Sequence, residues 1–134
     1  MVDQRYRKNR GGAVFSLKYH LVWCPKYRLP VLEGVAAERL LVLLREKAAE
    51  MNATIQALEV MPDHVYLFIE TDPTLAPAHI ANQFKGFTSR ILRGEFRHLR
   101  SRMPALWSRS YYVGSVGHVS DAIVKRYIAN QKTR

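Results

Sequence analysis

Two strand-length runs, residues 53–60 and 64–71, separated only by Met61-Pro62-Asp63, constrain this chain more than any other feature. Pro62-Asp63 favours a tight connection, so the runs read as neighbouring strands of an antiparallel sheet. In the second run, His64-Val65-Tyr66-Leu67-Phe68-Ile69, positions two apart share a face. His64 and Tyr66 therefore project together, and Val65 points the other way. A metal site on that face would want two imidazoles, and the strand offers one imidazole and one phenol.

The flanking segments complete a recognisable order. Phe15, Leu17, Tyr19, Leu21 and Trp23 alternate with Ser16, Lys18, His20 and Val22, the pattern of a long strand. Residues 25–30 form a basic turn. Over 35–51, Ala37, Leu40, Leu41, Leu44 and Ala48 recur at helical spacing. Thr74 is placed to cap a second helix reaching about His98. Gly86 and Gly94 each weaken that helix by roughly 1 kcal/mol relative to alanine, so a packing or ligand reason for them is expected. Arg90, Arg93 and Arg97 are predicted to share one of its faces. A fourth strand is predicted over 108–116, and Ser120 precedes a last helix over 121–131. The order β-α-β-β-α-β plus a terminal helix predicts an α+β, ferredoxin-like (RRM-like) fold. Its antiparallel four-stranded sheet carries two helices on one face and leaves the other face open to a ligand or partner. One domain is expected over 1–134, with a basic arm at 1–12 and the terminal helix at 119–134.

Composition narrows the functional classes. A net charge of +10 on 134 residues favours polyanions, nucleic acid ahead of membrane. The bases cluster: Arg5, Arg7, Lys8 and Arg10 near the start, then Arg90, Arg93, Arg97, Arg100 and Arg102. Guanidinium forks suit phosphate better than ammonium does. Cys24 is the only cysteine, which excludes an intramolecular disulfide and a CxxC metal site. No run approaches the roughly 18 apolar residues of a membrane span. With a charged start and no apolar leader segment, a cytoplasmic protein is expected.

The last helix reads Lys125-Arg126-Tyr127-Ile128-Ala129-Asn130-Gln131, which places Tyr127 and Gln131 on one face. By spacing alone, such a tyrosine is most often a packing residue. Three features together resemble the small HUH single-tyrosine transposases of insertion sequences, the TnpA type. They are the strand around His64, the late Tyr-Ile-x-x-Gln, and Tyr19-His20-Leu21-Val22-Trp23-Cys24-Pro25-Lys26-Tyr27-Arg28. Lys85-Gly86-x-x-Ser89-Arg90-Ile91-Leu92-Arg93 and Leu106-Trp107-x-x-Ser110-Tyr111 extend the likeness over nearly the whole chain.

The resemblance implies an enzyme that cuts single-stranded DNA at element ends folded into hairpins. A tyrosine becomes linked to the 5′ phosphate, and the freed 3′ hydroxyl later reverses the step without ATP. It implies Tyr127 as nucleophile, His64 and Gln131 as metal ligands, and Tyr66 in the place of a second histidine. Magnesium or manganese suits oxygen ligands and phosphate, and manganese also tolerates an imidazole. Asp63 and His20 are the nearest side chains that could fill the place left by the missing histidine. The resemblance also implies a homodimer in which the terminal helix of one chain completes the site around His64 of the other.

Lys85 and Arg90 are DNA-binding candidates because the family-like segment sets them beside a glycine. Arg93, Arg28, Lys26 and Arg5 are further candidates. Tyr111-Tyr112 could stack on bases, with one of the pair in the core. Two rival classes are a catalytically impaired hairpin-DNA-binding remnant, because of Tyr66, and an RNA-recognition domain. The latter lacks its aromatic-rich signature on the third strand and leaves Tyr127-x-x-x-Gln131 unexplained.

Overall fold

The alternation around Trp23 and the hairpin at Pro62-Asp63 both become sheet. In the computed structural model, residues 7–8, 14–15, 17–115 and 121–133 are described. A short antiparallel pair, β1 (Arg7–Lys8) and β2 (Val14–Phe15), precedes β3 (Leu17–Trp23). After a 3-10 turn at Lys26–Arg28 come α1 (Gly34–Glu50), β4 (Thr54–Met61) and β5 (His64–Thr71). Then follow α2 (Pro77–Glu95), α3 (Arg97–Ser101), β6 (Tyr112–Ser115) and α4 (Asp121–Ala129). The four-stranded sheet has the order β4-β5-β3-β6, antiparallel throughout. That is the predicted ferredoxin-like α+β arrangement.

Alternation decides which side of the sheet meets α1 and α2. Leu21, Trp23, Val65, Leu67 and Ile69 are buried together with Leu40, Leu44, Ile80 and Phe84. Trp23 stacks near Phe84 and meets Trp107 edge-on. The inward stripe of α1 is Ala36, Leu40, Leu43, Leu44, Lys47 and Ala48 rather than one built on Ala37 and Leu41. That stripe follows the 3.6-residue period more faithfully, and it lets the aliphatic stem of Lys47 be buried while its ammonium sits 5.2 Å from the Phe87 ring.

Three local expectations change. Thr74 does not cap α2: its N–H donates to Asp72 Oδ1 in an Asx turn, and the helix opens at Pro77, where a missing N–H costs nothing. The helix also stops at Glu95, because Phe96 turns extended to pack against the core. Arg97 thus begins α3 and leaves the face of Arg90 and Arg93. Gly86 and Gly94 have open space around a virtual Cβ, so packing within the chain does not require either glycine. Among the described residues, no helix is long and apolar enough to cross a membrane. Ser120 and Arg10 lie outside the described residues.

Candidate functional site

Register builds the outer face of the sheet row by row. Glu59, Tyr66, Val22 and Tyr112 are cross-strand partners, and Ala57, Phe68, His20 and Gly114 form the next row. The face is not left bare. Helix α4 lies against it, with the Tyr127 ring 6.1 Å from that of Tyr112. Val22, although on this side, is fully buried.

His64 opens β5, and its Nδ1 is 2.9 Å from Asp63 Oδ1. Asp63 Oδ2 lies 3.7 Å from Arg28 Nε, and Arg28 Nη1 donates to the Ile128 carbonyl of α4 at 3.1 Å. One continuous chain of contacts thus runs from His64 to the residue after Tyr127. The turn that supplies Arg28 is strained: Tyr27 and Arg28 adopt φ of 60° and 52°, which side-chain-bearing residues rarely take.

Tyr66 faces a different neighbour. Its hydroxyl is 2.5 Å from His20 Nδ1, and the His20 ring stacks on Phe68 at 4.2 Å. Burial lowers the His20 pKa. Burial, then the charges of Asp121 and Glu59, raise that of Tyr66. Both groups are therefore held neutral. His20 stands opposite Phe68, four residues along β5 from His64, or about 13 Å at strand rise. Of the two side chains expected near the missing histidine, Asp63 is the one in contact with His64.

The loop 108–110, predicted as strand, instead holds the end of α4. Ser110 Oγ is 2.9 Å from the Tyr127 hydroxyl and donates to Gln131 Oε1 at 2.9 Å. Gln131 Nε2 donates back to the Tyr127 carbonyl, the i to i+4 relation expected from spacing. Burial raises the Tyr127 pKa, the Ser110 hydrogen bond opposes that rise, and nearby Cys24 adds to it. The loop is fixed from below. Lys85 Nζ donates to the carbonyls of Ser108, Arg109 and Ser110 at 2.8, 3.3 and 3.2 Å, and Ser108 N–H donates to the Cys24 carbonyl.

Lys85, expected to bind DNA, therefore clamps the loop that carries the partner of Tyr127. Lys85→Met should lower stability by about 1–2 kcal/mol, because three carbonyls lose a charged donor. Urea unfolding would show this as a lower midpoint at unchanged slope, and an unchanged midpoint would contradict the clamp.

The other basic candidates divide. Arg93 donates to the carbonyls of Met103 and Pro104, and Arg100 to those of Arg93 and Gly94, so both brace the end of α2. Arg90 is exposed, its guanidinium 6.0 Å from the Phe87 ring. Arg28 braces α4, and Arg5 lies outside the described residues. Tyr111 packs against the core, which leaves Tyr112 on the α4 side. Residue type alone does not distinguish Ser108 and Ser110 from the other serines. The signal for Ser110 was its place in the Leu106-Trp107-x-x-Ser110-Tyr111 segment.

Between the strained turn, the 108–110 loop and the end of α4 lies a cavity of about 370 Å³. Lys26, Tyr27, Arg109, Asn130, Gln131 and Lys132 are among the residues that line it.

A divalent ion fits this donor set only in part. His64 fits: with Nδ1 at Asp63, its Nε2 remains for a metal, the usual outer-shell arrangement. Tyr66 does not fit, being a neutral phenol bonded to His20, and Gln131 Oε1 already accepts from Ser110. Among the described residues, no three His, Cys, Asp or Glu side chains gather to hold a metal. These residues do not form a three-ligand centre as arranged here.

Comparison with known proteins points to a transposase family. The family model described as "Transposase IS200 like" matches residues 13–131. The ISDra2 transposase TnpA of Deinococcus radiodurans is 35% identical over 126 residues, covering 92% of this chain and 90% of the relative. The transposase for insertion sequence element IS200 of Salmonella typhimurium is 30% identical over 119 residues, covering 87% and 78%. A crystal structure of a Deinococcus radiodurans R1 protein assigned as a transposase superposes with a TM-score of 0.85 at 35% identity, covering 96% of this chain and 99% of that one. A REP-associated tyrosine transposase bound to a REP hairpin shares the fold at a TM-score of 0.55 and 10% identity, covering 98% and 70%.

Proposed function

The chain belongs to the IS200-like transposase family, and on that premise we propose that it cleaves and rejoins single-stranded DNA at the hairpin ends of an insertion sequence. In this reading the Tyr127 oxygen attacks the scissile phosphorus and forms a 5′-phosphotyrosine. The strand's 3′ oxygen leaves with the electron pair of the broken bond and takes up a proton. Attack by a 3′ hydroxyl on the phosphotyrosine then reseals a strand, releasing the phenol and conserving the phosphodiester without ATP.

The observation that carries the reading is the hold on Tyr127. Its phenol is half-buried on α4, held at 2.9 Å by Ser110, which also bonds Gln131. A hairpin ligand accords with the fold-related REP-associated protein, whose structure holds one. A phenol with a raised pKa is a weak nucleophile until its proton is removed or its oxygen is polarised. Magnesium or manganese is the ion proposed for that task, with His64 as the described imidazole positioned for it. Tyr66, bonded to His20, and Gln131, bonded to Ser110, do not complete the shell of such an ion in this arrangement.

The working unit proposed is a homodimer with shared active sites. Helix α4 has no fully buried residue on its own chain and leaves Ile123 39% exposed, apolar surface that a second copy would cover.

DNA binding carries a separate prediction. With about five phosphates neutralised, the log–log salt slope on single strands should be near −3.5. A flat salt dependence would remove the basic clusters from the account.

One observation favours a second reading, a catalytically impaired hairpin-DNA-binding remnant: Tyr66 is tied to His20 where a second metal-binding imidazole is expected. A single assay separates the two. Element-end oligonucleotides incubated with the chain and magnesium or manganese give a covalent protein–DNA band in the first reading and only reversible complexes in the second.

A further inference from the structure

We propose that the cavity beside Tyr127 is a nucleotide pocket, which receives one nucleoside of the single strand next to the phosphate that Tyr127 attacks and reads its base through Asn130. The inference rests on Tyr127 as nucleophile and adds a specificity site to it.

Size, charge and hydrogen-bonding groups point the same way. About 370 Å³ is the scale of a small-ligand site, enough for one nucleotide and too small for a run of them. Lys26, Arg109 and Lys132 bring positive charge to the wall, and no carboxylate lines it among the described residues. An anionic ligand is therefore favoured. An amide offers a donor and an acceptor side by side, the pairing that a base edge matches. The Gln131 amide is engaged at both ends, by Ser110 and by the Tyr127 carbonyl, so Asn130 is the amide assigned to the base. Tyr27, an aromatic residue of the kind on which bases stack, is also in the lining.

Position supplies the link to the reaction. Ser110 belongs to the cavity lining, and its hydroxyl lies 2.9 Å from the Tyr127 oxygen. A nucleoside seated there has its own phosphate within reach of the nucleophile. Tyr27, which lines the cavity, and Arg28 next to it in sequence both take left-handed backbone conformations, strain of a kind that clusters at ligand sites.

Abasic scanning tests the pocket. Element-end single strands, each lacking one base, are titrated by fluorescence anisotropy against the Tyr127→Phe chain, so that nothing is cut during the measurement. Asn130→Ala and Arg109→Ala are then added separately. The proposal expects one position at which base loss weakens binding about tenfold, but less than twofold once Asn130 is alanine, because a base and its reader are not independent. Arg109→Ala should weaken binding while leaving the position of that signal unchanged. An abasic profile that Asn130→Ala does not alter, or losses of equal size at every position, would overturn the proposal. Failure of the nucleophile assignment shows separately, as no covalent band from the parent chain, since the binding profile requires no cutting.

Discussion

A Tyr127→Phe chain should bind single-stranded element ends within twofold of the parent and form at least about a thousandfold less covalent protein–DNA adduct. The substitution removes one oxygen from a half-buried ring and leaves the contact with Tyr112 in place, so the fold should be unaffected. Two other candidate nucleophiles among the described residues, Cys24 and Tyr66, are poorly placed to replace it. The Cys24 thiol is fully buried, and burial followed by Asp63 pushes its pKa up to about 12. The Tyr66 hydroxyl is held by His20. An adduct that survived the substitution would move the chemistry to another residue and would break the role assigned to α4.

Tyr66→His should bind manganese at least about tenfold more tightly than the parent chain, measured by titration calorimetry. The reason is geometric. Residue 66 lies on the same strand face as His64, two positions along, so an imidazole there adds a second nitrogen donor close to the first. In the parent that position carries a neutral phenol that feels Asp121 and Glu59 and is bonded to His20. The substitution also removes that hydrogen bond, so His20 and Phe68 should keep their stacking while His20 loses its partner. Equal manganese affinity in the two chains would mean that residue 66 is not part of the metal-binding edge. An adduct formed by the variant and not by the parent would establish the DNA-binding remnant.

What could be read in the sequence was what local chemistry determines. The strand His64–Thr71 was placed to the residue because Pro62-Asp63 precedes it and an apolar run fills it. The pairing of Tyr127 with Gln131 followed from helical spacing, and Gln131 keeps it although it lies just past α4. The end of α2 could not be read, because the break comes from burial of Phe96 and from Arg100 donating to the Arg93 and Gly94 carbonyls, both tertiary events. The same holds for Lys85. A lysine beside a glycine in a basic helix looks like a phosphate ligand, and only the folded chain brings three carbonyls of the 108–110 loop to its ammonium. Residues 108–111 carry an alternation that suits a strand, yet tethers to Cys24 and Lys85 hold them as a loop. His20 was seen on the correct face, but its hydrogen bond to Tyr66 depends on the β3–β5 register, which spacing within one strand does not reveal.

The central claim is that Tyr127 joins to the 5′ phosphate of a cut single strand. Mass spectrometry of the nuclease-trimmed covalent adduct tests it most directly. The account predicts that the nucleotide remnant sits on the peptide containing Tyr127, attached through the phenolic oxygen, with a free 3′ hydroxyl on the other DNA fragment. A remnant on Tyr66, on Ser110 or on any other residue, or a 3′ phosphate on the released fragment, would contradict it.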